Sequence, residues 1–220
     1  MLFTGSEKRS NPKDVQPGSR EWVTIITGIC AAGWAIPPFI IFQGKVLITA
    51  WYPNLPRDWI IVTSENGWTT NQLGLKWLKH FDGATKERTV GTHRLLIIDG
   101  HESHNSAEFK EYCAEHKIIT LCMPLHSSHL LQPLDVACFG PLKRAYSLEV
   151  DNWAQYAKVQ IKKEFFLTGF QAAYSKAITR DNICRGFRGS GLVPFNLEQV
   201  LSSLNVVLRT PTPPSPESTL

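Results

Sequence analysis

Only two methionines and five cysteines occur among 220 residues, and no two cysteines stand at CxxC spacing. An odd, widely spaced set (Cys30, Cys113, Cys122, Cys138, Cys184) argues against both a disulfide framework and a cysteine-built zinc site. Four of the five lie in apolar or helical patterns, which predicts buried, reduced thiols and a reducing compartment. Long hydrophobic runs are missing too. Ile36 to Ile48 is the most apolar region, yet it is too short for a membrane span and is broken by Pro37, Pro38 and Gly44. Met1 to Lys8 lacks the apolar core of a signal peptide, and no internal repeat is visible. Charge of either sign is modest: the net value of +4 permits an anionic partner without demanding one. The chain does have 43% hydrophobic residues, seven Trp and eleven Phe, enough for a sizeable core.

In chain order, residues 1–20 are polar and read as a loop or frayed end. Glu21 to Ala31 is β-branched and aromatic, and Pro38 to Gln43 returns after the Ala32-Gly33 turn; the short connection predicts an antiparallel hairpin. Trp59 to Ser64 is a further short strand. Thr69 or Thr70 caps a helix through about Phe81, with Leu73, Trp77, Leu78 and Phe81 on one face. Arg94 to Asp99 is a continuous apolar strand, as expected for one covered on both faces. A helix over Ala107 to His116, capped by Asn105 or Ser106, and a strand over Ile118 to Cys122 complete a βαβ unit with parallel strands. Pro124 to Pro133 reads as a loop. From Leu134 onward the pattern is helical, with a kink at Gly140-Pro141, an interruption at Gly169, and a last helix closing at Ile183 to Phe187. The tail from Thr210 is rich in Pro, Ser and Thr and reads as unstructured. The order predicts a mixed α/β sandwich.

Two acids stand out. Asp99 ends the apolar run of Leu95 to Ile98, and Asp135 opens a helix beyond the next strand, with 35 residues between them. Ligands of open α/β sheets collect outside the carboxyl ends of strands, where both acids are expected. Two carboxylates suit a hydrated Mg2+ ion, whereas a pair of ions for phosphoryl transfer calls for a third. Asp-Gly is equally a common turn dipeptide, so Asp99 alone carries little. His101 and His104 with Asp99 suggest zinc, but no fourth ligand stands at a suitable spacing; contact with phosphate, orientation of Asp99 and a plain polar-surface role are the other roles open to them. His126 and His129 lie in a loop that approaches the same mouth. Lys143, Arg144, Lys158, Lys162 and Lys163 could follow a phosphate backbone or form an ordinary solvated face.

The segments ITGICAAGWAIPPFIIFQGK, SENGWTTNQLGLKWL, LLIIDGHESH, PLHSSHLLQPLDVACFGPLKRAY and FRGSGLVPFNLEQVL, in this order, resemble the catalytic domain of pogo-type DDE transposases of the mariner superfamily. The resemblance extends over residues 5–214. DGHxSH followed at this separation by LLQPLDV is more specific than either piece alone.

The resemblance implies an RNase H-like fold: a mixed sheet flanked by helices, with a helical C-terminal part. It implies DNA as partner, a nuclear location, and three acids binding two Mg2+ or Mn2+ ions for strand cleavage and transfer. Asp99 matches the second acid and Asp135 the third. The first closes the central strand of the family's sheet, and no counterpart is found: Glu7, Asp14 and Glu21 are the acids before the hairpin, and none ends an apolar strand. The expected organisation is a polar segment over 1–20, an incomplete DDE endonuclease domain over 21–209, and a disordered tail over 210–220. Activity is expected to be impaired, and the alternative is a non-enzymatic module that binds DNA or protein.

Overall fold

The computed structural model describes residues 22–46, 55–99, 106–157 and 163–202. The N-terminal segment, His101, His104, Lys158, Lys162 and the Pro-rich tail lie outside them.

The expected hairpin is present, but each arm is broken. Strands β1 (Val23–Ile26) and β2 (Ile29–Cys30) lead into a turn, and β3 (Trp34–Ala35) and β4 (Phe39–Gln43) return. β1 pairs with β4 and β2 with β3, both antiparallel. The interruption has two causes. Pro37 and Pro38 have no amide hydrogen to give a ladder, and Gly28 lies so close to Ile36 that a Cβ would meet its Cδ1 at 3.1 Å. At the tip, Gly33 has φ +89°, a conformation open to glycine.

Strand β5 (Ile60–Ser64) adds in parallel to β4, giving the order β1-β4-β5. The period of two along these strands splits their side chains between two cores. Ile25, Ile40 and Phe42 face one core, while Phe39, Ile41 and Val62 face the other. Central β4 is therefore buried on both faces, which explains its unbroken apolar sequence.

The second core is closed by α1 (Asn71–Thr85), α2 (Ala107–Glu115) and a parallel pair, β6 (Arg94–Ile98) and β7 (Ile118–Cys122). Thr70 caps α1 through the Leu73 amide, and Ser106 caps α2 through that of Phe109. Trp77 and Leu78 of α1 meet Phe109 and Cys113 of α2 above Leu96, Ile98 and Ile118. The opposite face of this pair corrects an expectation: β6 is not covered on both sides. Leu95 is 61% exposed, and Ile119 and Leu121 beside it are also exposed, because α1 and α2 both pack on the other face. Among the described residues β6 and β7 form their own sheet, and no strand links β6 to β1.

A polar cluster fastens α1 to this unit. Arg94 donates to the Asp82 Oδ1 at 2.6 Å, to Thr85 Oγ1 at 2.9 Å and to the His116 carbonyl at 2.8 Å. The Tyr112 hydroxyl donates to Asp82 Oδ2 at 3.2 Å, and His116 Nδ1 lies 3.0 Å from the same oxygen. Burial pushes the Asp82 carboxyl up, but the Arg94 hydrogen bond and charge, with Tyr112 and His116, outweigh it and leave the group below its ordinary range.

The first core is covered by the C-terminal helices. Short α3 (Ser128–Leu131) lies within the expected loop. Leu134–Cys138 then forms a wide turn in which the Phe139 amide bonds back to the Leu134 carbonyl, five residues earlier. Helix α4 (Phe139–Ala157) follows, so the distortion sits ahead of Gly140-Pro141: Pro141 lacks an amide hydrogen, and its ring crowds the preceding turn. Helix α5 (Lys163–Ala177) is not interrupted at Gly169. That glycine instead makes room for Trp153 of α4, whose ring a Cβ would strike. Helix α6 (Arg180–Gly189), capped by Thr179, and the short α7 (Glu198–Leu201) complete the described chain. Leu134, Cys138, Leu142, Leu167, Phe170 and Ile183 pack together on Ile25, Ile40 and Phe42. The molecule is thus a mixed α/β domain with helices on both sides, compatible with an RNase H-like architecture.

All five cysteines are free, but burial of four of them does not hold. Cys113 and Cys138 are buried, Cys30 and Cys184 are half-buried, and Cys122 is exposed on β7. No described helix is long and apolar enough to cross a membrane.

Candidate functional site

Asp99 immediately follows the last residue of β6 and is half-buried. Its position is held by the parallel ladder and by the Met123 amide, which donates to the Ile98 carbonyl at 2.9 Å and extends the β6–β7 pairing past the strand end. Asp135 is carried by the wide turn. Leu134 and Cys138 on either side of it are buried in the first core, which fixes the turn and the side chain it presents. The two acids therefore come from elements packed on different cores.

The Asp99 charge reaches the Asp135 carboxyl. Burial raises the Asp135 carboxyl above its ordinary range; the neighbouring Asp99 charge raises it further, while Lys143 and His129 pull it down. One oxygen of Asp135, Oδ2, is buried without a hydrogen-bond partner. A buried carboxylate oxygen with no donor, within reach of a second carboxylate's charge, is costly as it stands. A hard divalent cation between the acids would relieve both the desolvation and the repulsion, and all-oxygen ligation suits Mg2+ or Mn2+. The donor set fits such an ion. Among the described residues no group of three or more His, Cys, Asp or Glu side chains gathers as a metal cage.

Lys143 and Arg144 are exposed on the second turn of α4, and the Lys143 charge reaches Asp135. His129, from α3, is exposed. His126 is exposed with φ 60°. His101 and His104 lie in the stretch after Asp99 that is outside the described residues.

Helix α6 enters this region without being foreseen. Its Gly186 is pressed against the backbone of Pro133, and a Cβ there would collide with the Pro133 carbonyl. One turn on, a Cβ at Gly189 would meet Val136 Cγ1 at 2.7 Å. Helix α6 is therefore the wall behind the turn that carries Asp135. The signal in the sequence was the pair of glycines three residues apart, which marks one helix face as a close-approach surface.

Comparison with known proteins agrees with these features. The family model described as "DDE superfamily endonuclease" matches residues 19–187, which include both acids and most of α6. The chain is 54% identical over 220 residues to the "MFS-type transporter clz9" of Cochliobolus lunatus, covering 99% of this chain and 24% of that protein. It is 25% identical over 178 residues to the mouse "Pogo transposable element with KRAB domain", covering 76% of this chain and 28% of the relative. With the human protein of the same name it shares 24% identity over 189 residues, covering 80% and 30%. The chain thus spans less than a third of the length of each of these relatives. No solved structure matches. The match over most of the chain and the pogo relatives lead to one conclusion: the chain belongs to the DDE superfamily of endonucleases, as a pogo-type DDE transposase domain.

Proposed function

We propose that this domain binds DNA and keeps the divalent-metal site of a strand-cleaving and strand-transferring enzyme, built on Asp99 and Asp135, with impaired cleavage by the chain itself. The observation that carries this reading is the buried, donor-free Oδ2 of Asp135 within reach of a second carboxylate's charge. DNA as the partner follows from membership of an endonuclease family, and a nuclear location goes with that partner. When bound, the ion would stabilise charge developing on a phosphoryl oxygen.

The chain's own residues do the rest. Asp99 and Asp135 must both be ionised to hold the ion, and their mutual repulsion is the driving force for taking one up. Lys143 offers positive charge within reach of Asp135, where a phosphate would approach. Impairment rests on the count of acids. Two carboxylates fix a second ion poorly, so transfer supported by Asp99 and Asp135 alone loses much of the stabilisation of the in-line step. The same count favours a second reading, a non-enzymatic module that keeps DNA or protein binding alone.

The test is nicking of supercoiled plasmid in manganese. Whatever nicking the purified chain shows is expected to vanish in both Asp99→Ala and Asp135→Ala. Nicking that survives in both variants overturns the two-carboxylate site, and DNA binding without any nicking favours the second reading.

A further inference from the structure

Three arginines of α6, Arg180, Arg185 and Arg188, are exposed, and none has an ion pair among the described residues. Helical geometry separates them. Gly186 and Gly189 define the face pressed on the Pro133–Val136 turn. Arg185 precedes Gly189 by four residues and so shares its stripe, and Arg188 is three residues beyond Arg185. Arg185 therefore lies beside the glycine face, and Arg188 is turned about 60° further from it, onto the outer, exposed flank of the helix. Arg180 lies away from that face, on the side of the β2–β3 turn, where its Cγ crowds Gly33.

A helix is only about 10 Å across, so the outer flank of α6 is about one helix diameter from Asp135. On α4, Lys143 supplies a cation whose charge reaches the same acid. The solitary acid on this flank is Asp181, in the first turn. An exposed guanidinium without a carboxylate partner is well suited to phosphate, which it meets through two parallel hydrogen bonds.

We propose that Arg185 and Arg188 form a phosphate-backbone contact on α6 that seats a DNA duplex across the Asp99–Asp135 pair. The proposal rests on the DNA-binding reading above and adds to it which helix holds the duplex and from which side. Contacts of this kind position the duplex and carry no base specificity. They make affinity fall as salt rises, by a slope of about 0.9 per phosphate neutralised.

The experiment is fluorescence anisotropy of the whole chain with a short labelled duplex, between about 50 and about 200 mM salt. Arg185→Ala/Arg188→Ala is expected to reduce the salt slope by about 2 and to weaken binding on the order of tenfold at the lower salt. Arg185→Lys/Arg188→Lys should keep the slope, since the charge is kept. Lys76→Ala/Lys110→Ala removes two exposed cations from α1 and α2, against the second core, and should change nothing. Circular dichroism of each variant checks that the fold is unaltered. Tight wild-type binding with the same slope in the α6 alanine pair as in the α1/α2 pair overturns this proposal and leaves the metal site standing. Wild-type binding that does not respond to salt overturns this proposal alone, and no binding of the duplex at any salt overturns the DNA-binding reading and this proposal together.

Discussion

Arg94→Met is expected to destabilise the domain by about 3–5 kcal/mol, because it leaves the Asp82 carboxylate buried without its main cation. That is a large share of the roughly 5–15 kcal/mol that holds a typical domain together. The two side chains are 13% and 8% exposed, so water cannot replace the lost partner. Tyr112 and His116 remain beside Asp82, but neither supplies the paired geometry of the guanidinium. The deficit should depend on pH in a definite direction. In the wild type the Asp82 carboxyl is held below 3.8, so its contribution is complete above that value and is lost as pH falls through the lower folded-state value. In the variant, burial without the Arg94 charge raises the orphaned acid, so its protonation should narrow the gap as pH falls towards 3.8, and loss of the wild-type contribution should narrow it further below that value. Replacing both partners with apolar residues, as in Arg94→Met/Asp82→Leu, should recover most of the loss. Urea denaturation as a function of pH measures all of this; a loss under about 1 kcal/mol would show that the cluster is no more than a surface ion pair.

Gly186→Ala is expected to destabilise the domain although alanine is the better helix former. Propensity favours alanine by about 1 kcal/mol in a helix interior. Against this, the new methyl group meets the backbone of Pro133, which cannot rotate away as a side chain would. Overpacking of this kind costs about 1–3 kcal/mol, and relief requires α6 to move off the turn that carries Asp135. Divalent-metal affinity should therefore fall with stability. Gly83 in α1 is the control, because nothing lies within 4 Å of its added Cβ. Gly83→Ala should stabilise by about 0.5–1 kcal/mol and leave metal affinity unchanged. Opposite signs for the same substitution, read by thermal denaturation, separate close packing from propensity; stabilisation in both would remove α6 from the account of the site.

The contrast between these glycines shows what the sequence made legible. Local chemistry was readable: Thr70 and Ser106 cap their helices, the strands over Ile60–Ser64 and Ile118–Cys122 follow from β-branched runs, and Asp99 falls at the end of β6. Each of these depends on residues within one turn or one strand. Contacts between distant segments were not readable in the same way. Gly169 looked like a helix breaker, but it accommodates Trp153 sixteen positions earlier. The apolar sequence of β6 suggested two covered faces, yet Leu95 is exposed because both neighbouring helices pack on the same side. The kink at Gly140-Pro141 was expected, but its form, a wide turn placed ahead of the proline, is what presents Asp135. Asp99 and Asp135 were expected at one sheet mouth from their places at a strand end and a helix start, and the resemblance to transposases added the roles of second and third acid.

The central claim is that Asp99 and Asp135 together hold a divalent ion, and titration with Mn2+ followed by electron paramagnetic resonance of the free ion tests it most directly. The account predicts one ion per chain. Affinity should drop on the order of tenfold or more in Asp99→Ala and in Asp135→Ala. Because the Asp135 carboxyl is raised above 3.8, binding should fade on acidification at a pH above that of an ordinary aspartate. Ion at a hundredfold excess over the wild-type Kd should also stabilise the wild type by about 2.7 kcal/mol, and both variants by clearly less at the same ion concentration. Undiminished Mn2+ binding in the two variants would contradict the account.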